Sequence, residues 1–430
     1  MPTSRHRGLT RRQAVANVQR LAATLPFCLH QTEVHLSLSH LDLFRVQVSD
    51  YLQDALTSEM RQAPRTIMLL DVDLQQAWHR RLAQKGWAVP NWPVEHGGTG
   101  WSREELAVFQ EELVAASAPP LSPNLQMIGP VLMAFGTPEQ QERHLPSLRS
   151  GEILWCQGYS EPGAGSDLAA LQTRAVQDGD DYIVNGQKIW TSYAHVADWM
   201  FCLVRTSTEG KRQAGISFLL IDMKTPGITV RPIWSIDGLH HFNEVFFNDV
   251  RIPVTNRIGA ENGGWNIAKY LLEHERNGVA DTPYLRMRLR KVKDVARQSP
   301  DDLGSGSILL NPVFARRLLK AEIDLLALEC LSARAASAED DASARLSSAL
   351  KLRGSEVEQE IAELGRLALA CTGRLDQSDT LKDSASTPIG SPGGPEVMLN
   401  YLNGRAATIY GGSSEIQRGI IFKQLRLHGV

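Results

Sequence analysis

The chain has 430 residues, 43% of them hydrophobic, so it can bury the cores of two or three packed units. Its 45 basic and 48 acidic side chains give a net charge of −3, which provides no electrostatic attraction for nucleic acid or an anionic membrane. Five cysteines are widely spaced without a CxxC pair, so neither a disulfide framework nor a zinc site is indicated, and reduced, buried thiols are expected instead. No apolar run reaches the roughly 18–20 residues of a membrane span, and we expect a cytoplasmic protein.

Residues 1–34 form a basic N-terminal segment. The pair Arg11 and Arg12 weakly resembles an export signal, but the residues after it are too polar for the hydrophobic region of such a signal. We therefore expect residues 1–34 to be a disordered extension.

Residues 35–153 are predicted to form a helical domain. The stretch REELAVFQEELVAA (103–116) repeats apolar residues at helical spacing. Clusters of Pro and Gly at residues 86–100 and 118–124 predict loops between the helices.

The pattern changes after residue 153. Residues 154–258 contain short runs rich in β-branched and aromatic residues, separated by turn sequences, and predict a β-domain. Helical periodicity returns in residues 259–430, most clearly at 316–336 and 343–371. Within this last part, residues 374–397 are rich in Ser, Asp, Gly and Pro and predict a long loop. The fold class is therefore multidomain α+β.

Two stretches of the β-domain carry candidate chemistry. The first, WCQGYSEPGAGSDLA (155–169), predicts a turn that exposes backbone N–H groups and hydroxyls to a polar ring or a phosphate, although an ordinary loop would have the same composition. The second, at 184–199, places Trp190 beside Thr191 and Ser192. An aromatic ring next to hydroxyl donors suits an isoalloxazine, whereas a lone Trp in a strand is more often part of a core.

Five segments in order resemble the acyl-CoA dehydrogenase family: GYSEPGAGSD, NGQKIW, HFNEVFFNDVRIP, ENGGW and IYGGSSEIQR. The resemblance covers residues 38–427. It implies an N-terminal helical domain, a middle β-barrel or sandwich-like domain and a C-terminal four-helix bundle that usually builds a tetramer. It further implies FAD as cofactor and the oxidation of an acyl-CoA thioester to its trans-2-enoyl form.

The same resemblance assigns site residues by position. Those matching the flavin contacts are Gln157, Tyr159, Ser160, Trp190 and Ser192, and those matching the adenosine and pyrophosphate contacts are Gly412, Ser413 and Glu415. Ser166 stands where members of the family meet the pantetheine arm of the substrate.

The reaction needs a base at the α-carbon, opposite the flavin, and donors for the thioester oxygen. Many family members carry this base directly after the Tyr of the last motif, where this chain has Gly411. A minority carries a Glu immediately before an Arg on the helix after ENGGW, and Glu275 and Arg276 match this pattern. We therefore predict Glu275 as the base and Arg276 as a contact to CoA, with Glu415 as the less favoured base.

A run of charges such as EHER is usually the solvated face of a helix, and this alternative stays open for Glu275 and Arg276. The neighbouring His274, together with His240 and His241, is predicted to lie on the surface or in loops.

In most homotetrameric members, two segments of a neighbouring subunit bind the pyrophosphate and adenine of FAD. This chain has neither segment in the corresponding regions, 286–312 and 374–397. The chain thus resembles a bacterial branch of heterotetramers, some acting on steroid side chains, in which a paralogous partner supplies contacts. A homotetramer or dimer is the alternative assembly. The resemblance implies an electron-transferring flavoprotein as electron acceptor. Two rivals remain: a flavin oxidase or monooxygenase on the same fold, and a cofactor-poor structural subunit.

Overall fold

The computed structural model describes residues 39–62, 71–279, 281–300, 306–336, 340–381 and 386–427. The predicted extension, residues 1–34, lies outside the described residues. The chain divides into two units, residues 1–43 and 44–430, and the first contributes only residues 39–43 to the described part.

The N-terminal part is helical. Its helices are α1 (His40–Ala55), α2 (Ser58–Gln62), α3 (Val72–Lys85), α4 (Arg103–Ala115), α5 (Asn124–Phe135) and α6 (Pro138–Ser150). Capping boxes begin two of them, with Ser102 and Glu105 at α4 and Thr137 and Gln140 at α6, so the first backbone N–H groups are satisfied locally. The Gln140 amide also donates to the carbonyls of Thr255 (2.7 Å) and Arg257 (2.9 Å), which ties α6 to the end of the following sheet.

The middle part is one mixed sheet. Its strands are β1 (Trp155–Gly158), β2 (Arg174–Asp178), β3 (Asp181–Lys188), β4 (Trp199–Arg205), β5 (Ile216–Asp222), β6 (Ile228–Trp234), β7 (His240–Pro253) and β8 (Arg257–Ile258). The order is β6-β7-β3-β2-β4-β5-β8, and β1 pairs in parallel with β4. The central strands β4 and β5 are buried along almost their whole length, as their uninterrupted apolar sequences predict.

The C-terminal part is helical again. It contains α7 (Gly264–Val279), α8 (Thr282–Gln298), α9 (Pro312–Ala336), α10 (Asp340–Ala368), α11 (Gly394–Asn403) and α12 (Ser414–Leu427). Apolar residues of α8, α9, α10 and α11 form one core. In the described chain, no helix combines the length and the apolar character needed to cross a membrane.

The predicted loop 374–397 differs from the structure at its end. Helix α11 begins at Gly394 and carries Pro395 in its first turn, where a missing backbone N–H costs nothing. The loop composition therefore concealed a helix start. Residues 382–385 of this segment lie outside the described part of the chain.

The cysteines also depart from expectation. Cys156 and Cys202 are buried free thiols in the sheet, as predicted for packing residues, whereas Cys330 and Cys371 are exposed free thiols on the helical side. Helical spacing does not separate an outward thiol from an inward one unless the packing partner is known.

Candidate active site

The first motif leaves strand β1 at a close contact between two strands. A Cβ at Gly158 would lie 2.4 Å from Met200 Sδ on the neighbouring β4, so any larger residue would have to displace this buried methionine side chain. The chain then turns back on itself, because Glu161 and Ala164 exchange backbone hydrogen bonds of 3.1 and 3.0 Å. Tyr159 is buried, Gln157 and Ser160 are half-buried, and Ser166 stands exposed beyond the turn.

A buried ion pair holds this turn against strand β3. Lys188 Nζ lies 2.8 Å from Glu161 Oε1 and donates to the Tyr159 carbonyl at 3.1 Å. The other carboxylate contacts are backbone N–H donors from Gln172 (2.6 Å) and Thr173 (2.9 Å). Burial by itself raises the pKa of Glu161, but the charge of Lys188 and these hydrogen bonds outweigh it and lower that pKa.

The second motif is joined to the first by the backbone. Ile189 N donates to the Ser160 carbonyl at 2.9 Å, so the two predicted flavin-contact segments lie side by side. Trp190 follows in a left-handed conformation, with φ of +61°, and its side chain is 58% exposed. Its only described ring contact is edge-on with Phe242, at 6.0 Å between centroids. The interpretation of Trp190 as a core residue is therefore wrong.

Asn243 on strand β7 holds the residue after Trp190. The Asn243 backbone N–H donates to the Thr191 carbonyl (3.1 Å), and the Asn243 carbonyl accepts from Thr191 N (3.0 Å). The side-chain Nδ2 of Asn243 also donates to the Thr191 carbonyl (2.9 Å). Thr191 is buried, yet its hydroxyl has no hydrogen-bond partner in the part of the chain that the structure describes. Ser192, half-buried, comes next along the chain.

The prediction that His240 and His241 lie on the surface or in loops is wrong for His241 and holds only in part for His240. His241 is buried, with Nε2 2.8 Å from Asp237 Oδ2, and His240 is half-buried, with Nε2 2.7 Å from Asn243 Oδ1. Both lie at the start of strand β7, whose alternation turns His241 inward. Burial raises the pKa of Asp237, but hydrogen bonds from His241 and Ser235 outweigh it and lower that pKa to about 2.

Asp237 also contacts the C-terminal helices, since Asn403 Nδ2 at the end of α11 donates to its Oδ2 at 3.3 Å.

Sequence reasoning missed the hydrogen bonds between Thr191 and Asn243. The asparagine stands inside a recognised motif, but nothing in the motif says which backbone group its amide meets.

The final motif forms a glycine turn before helix α12. Gly411 and Gly412 have φ of +62° and +84°, and the amide of the fully buried Gln417 donates to both of their carbonyls (3.1 and 3.3 Å). Ser413 is half-buried at the helix start, and its Oγ accepts from Ile416 N at 3.4 Å. Glu415 is exposed, and hydrogen bonds from its own backbone and from Ser413 lower its pKa.

The helix that carries the predicted base begins on the sheet. A Cβ at Gly264 would lie 2.6 Å from the Ser217 carbonyl carbon in β5, so only glycine lets α7 start this close. The Ser217 hydroxyl accepts from Asn262 N at 2.8 Å. Glu275 and Arg276 belong to α7, but their side chains, like that of His274, lie outside the described residues.

A cavity of about 2290 Å³ lies between the N-terminal helices and helix α8. Tyr410, which precedes Gly411, lines it, and so does Asp281, which follows α7. Polar pairs line the α8 wall: Arg288 with Glu358 (2.7 Å) and Lys291 with Glu396 (2.6 Å). Of the described residues, those of the cavity wall nearest in sequence to the two candidate base positions are therefore Tyr410 and Asp281.

The residues beside Trp190 fit a flavin. The Trp190 indole is exposed and its backbone is strained, so this side chain does not serve to pack a core. The buried Thr191 hydroxyl has no hydrogen-bond partner among the described residues, which favours a polar ligand nearby. Both lie next to Ser160 through the Ile189 hydrogen bond. A flat ring with hydrogen-bonding edges would cover the indole and satisfy hydroxyls on one side.

Family models of acyl-CoA dehydrogenases match nearly the whole described chain. The N-terminal domain model matches residues 40–152, the middle domain model residues 156–250 and the C-terminal domain model residues 262–426.

Individual relatives agree. The chain is 38% identical over 361 residues to acyl-CoA dehydrogenase IpdE1 of Mycobacterium tuberculosis, across 82% of this chain and 87% of the relative. It is 33% identical over 398 residues to acyl-CoA dehydrogenase FadE26 of the same organism, across 88% and 94%.

Solved structures show the same fold. The ChsE4-ChsE5 complex from Mycobacterium tuberculosis matches with a TM-score of 0.73 and 30% identity, across 94% of this chain and 99% of that chain. The Tcur3481-Tcur3483 steroid ACAD matches with a TM-score of 0.74 and 28% identity, across 94% and 100%. From its fold, its matched domains and these relatives, the chain belongs to the acyl-CoA dehydrogenase family of FAD-dependent oxidoreductases.

Proposed function

We propose that this chain binds FAD and oxidises an acyl-CoA thioester to the trans-2-enoyl product. The observation that carries the proposal is the exposed Trp190 indole beside the unpartnered Thr191 hydroxyl, with the Thr191 backbone held by a buried hydrogen bond from Asn243. When bound, FAD supplies the acceptor for the β-hydride. The residues proposed around it are Gln157, Tyr159, Ser160, Trp190 and Ser192 at the ring, and Gly412, Ser413 and Glu415 toward the adenosine.

Glu275 is proposed to remove the α-proton, and Arg276 and Ser166 to contact the CoA portion. Gly411 has no side chain to act as a base, and the exposed Glu415 lacks the dry environment that raises a carboxylate pKa toward that of the α-proton. Helix α7, which carries Glu275, starts from a fixed point on β5 at Gly264. This anchoring supports a fixed position for the helix that carries the proposed base.

The base is tested by Glu275→Gln. We expect the variant to keep its flavin spectrum and to lose anaerobic flavin bleaching by acyl-CoA by about 10²–10⁴-fold in rate, the usual contribution of a general base. Glu273→Gln is the matched control, because residues two apart on a helix face nearly opposite sides. Normal bleaching in Glu275→Gln would refute the assignment, and Glu415→Gln would be examined next.

The acyl group is proposed to be bulky. The cavity of about 2290 Å³ exceeds the range of about 300–1,000 Å³ common for small-molecule sites, and one structural relative is a steroid ACAD. An anaerobic titration with straight, branched and steroid acyl-CoAs tests this class. Faster bleaching by short straight-chain substrates would contradict it.

A second subunit is proposed to pack on helix α9. Leu319, Ile323 and Leu326 are 56%, 58% and 60% exposed and recur at the spacing of one helix face. The matched solved complexes ChsE4-ChsE5 and Tcur3481-Tcur3483 each name two proteins, which favours a paralogous partner. Leu319→Glu with Leu326→Glu should lower the mass in light scattering, whereas Ile236→Glu, at another exposed apolar position, should not.

Heteromeric assembly also keeps the structural-subunit role as a second candidate. If the lone chain stays colourless with added FAD and turns yellow only with a co-expressed paralogue, that role gains. A yellow lone chain would remove it.

Electrons are proposed to leave to an electron-transferring flavoprotein. Reoxidation of the bleached enzyme by such a protein, faster than by air, supports this acceptor. Stoichiometric peroxide under air would instead indicate an oxidase.

A further inference from the structure

Two histidines contact the side chain of Asn243, the residue that holds the Thr191 carbonyl next to Trp190. His195 lies between strands β3 and β4, and its ring centroid is 4.1 Å from that of His240 on β7, with the ring planes tilted by 32°. His195 Nδ1 lies 3.2 Å from Asn243 Nδ2, and His240 Nε2 lies 2.7 Å from Asn243 Oδ1. Both ends of one amide are therefore bound by imidazoles.

The Thr191 carbonyl fixes which end of this amide is the donor. Asn243 Nδ2 donates to that carbonyl at 2.9 Å, so the amide nitrogen also faces His195 and the amide oxygen faces His240. His240 Nε2 must then carry a proton and donate, whereas His195 Nδ1 must be without a proton and accept. The two imidazoles thus have opposite roles at the same amide.

Protonation affects these two contacts differently. Because His240 Nε2 already carries a proton, adding one to the other ring nitrogen keeps its bond to Asn243. A proton on His195 Nδ1 instead places two donors 3.2 Å apart. A half-turn of the amide would remove that conflict, but it would bring the Asn243 oxygen against the Thr191 carbonyl, which is also an acceptor. The observed arrangement therefore requires neutral His195.

The surroundings of His195 favour this neutral form. Partial desolvation, and then the charge that His240 carries when protonated, lower the pKa of His195, and the hydrogen bond with Asn243 does not offset them. Among the described residues, His241 on β7 acts in the same direction, and it pairs with Asp237 at 2.8 Å. His195 itself is exposed, so it exchanges protons with solvent without unfolding. It is neutral above its folded pKa and takes up a proton as the pH falls through that value.

We propose that His195 is a positioning residue for the flavin site, whose neutral imidazole keeps the Asn243 amide on the Thr191 carbonyl and whose protonation weakens FAD binding. This inference rests on the proposed FAD binding and adds a dependence on pH that the dehydrogenation itself does not require. The effect passes through the backbone, since Trp190 precedes and Ser192 follows the held residue. A lost hydrogen bond at Thr191 therefore loosens both proposed ring contacts.

The test follows FAD release from the diluted, assembled holoenzyme by flavin fluorescence, from about pH 8 to about pH 5, a range that spans the ordinary histidine pKa of about 6.5. In the wild type we expect the release rate to rise about two- to tenfold toward acid pH, as for the loss of one hydrogen bond. In His195→Asn the amide oxygen can replace Nδ1 as acceptor and takes up no proton, so this rise should disappear.

His240→Gln is the matched variant, because its amide can replace the Nε2–H donor to Asn243. It should keep the rise and move the midpoint to higher pH, since the charge that opposes protonation of His195 is gone. If His195→Asn holds no flavin at any pH, this shift decides, and an unmoved midpoint overturns the inference.

The pH profile separates positioning from folding, since a general loss of stability speeds release at every pH. A wild-type release rate independent of pH would overturn the inference without any variant, and so would an unchanged rise in His195→Asn. If the assembled chain holds no FAD, the proposed function fails and this inference falls with it. A holoenzyme that acyl-CoA bleaches, but whose FAD release does not depend on pH, removes the inference alone.

Discussion

The sheet, residues 155–258, and the C-terminal helices, residues 264–427, differ in how they treat polar groups. In the sheet, charged and amide side chains beside Trp190 are buried and bound to each other or to backbone, as in Lys188 with Glu161 and Asn243 with Thr191. In the helices, charged pairs line a wide cavity and apolar side chains of α9 face outward.

This contrast separates a preformed half of the candidate site from a half whose completion by other molecules is proposed above. Buried, mutually satisfied networks fix a conformation within a single chain. The exposed apolar stripe on α9 instead leaves a helix face uncovered within the described chain, and it is this face that the proposed second subunit would cover.

The largest change in stability is expected at the buried ion pair between Lys188 and Glu161 in the preformed half. Lys188→Met leaves Glu161 buried and unpaired, so we expect a loss of about 3–5 kcal/mol in unfolding free energy by urea denaturation. Arg212→Met, which breaks the exposed pair with Asp167, should cost less than about 1 kcal/mol. Adding Glu161→Gln to Lys188→Met should recover part of the loss. A loss for Lys188→Met no larger than for the exposed pair would end the distinction between the two regions.

Acid should weaken the contact between sheet and helix α11. The folded pKa of Asp237, about 2, lies below its ordinary 3.8, so its stabilisation is present above about pH 4 and is lost as the pH falls through 2. The difference in unfolding free energy between wild type and Asp237→Asn should therefore shrink by about 2 kcal/mol over that window. Parallel pH curves of the unfolding free energy for the wild type and Asp237→Asn would contradict the prediction.

The glycine turn of the helical half should respond more weakly. Gly411 has φ of +62°, so Gly411→Ala should cost about 1–2 kcal/mol in unfolding free energy. Gly419→Ala is the control, since its Cβ would meet no atom within 4 Å and helices favour alanine. Equal or higher stability of Gly411→Ala would show that the turn relaxes.

The smallest stability effect is expected at Trp190. Because its side chain is 58% exposed, Trp190→Ala should change the unfolding free energy of the apoprotein by less than about 0.5 kcal/mol while lowering flavin retention on gel filtration. Trp155→Ala, at 2% exposure in the core, should cost about 3–5 kcal/mol. If Trp190→Ala binds flavin normally, the indole does not contribute to the site.

Much of the architecture was readable in advance. The change from helical to alternating periodicity near residue 154 and back after 258 follows from side-chain spacing alone. That Gly411 cannot act as a base also followed from the sequence, because glycine has no side chain, whereas Glu275 as the base stays a prediction. The start of α11 at Gly394 and the burial of His241 were not readable, since composition and exposure depend on neighbours distant in sequence.

The sequence by itself determined the helix, sheet, helix order, the family and the identity of the residues to test, because periodicity and ordered motifs are local properties. Only the tertiary structure decided that Trp190 faces outward, that Asn243 holds Thr191 across 52 positions, and that the buried Thr191 hydroxyl has no hydrogen-bond partner among the described residues. Each of these depends on which distant groups share a buried space. Burial makes an unsatisfied polar atom expensive, and it is formed by packing rather than by any one segment.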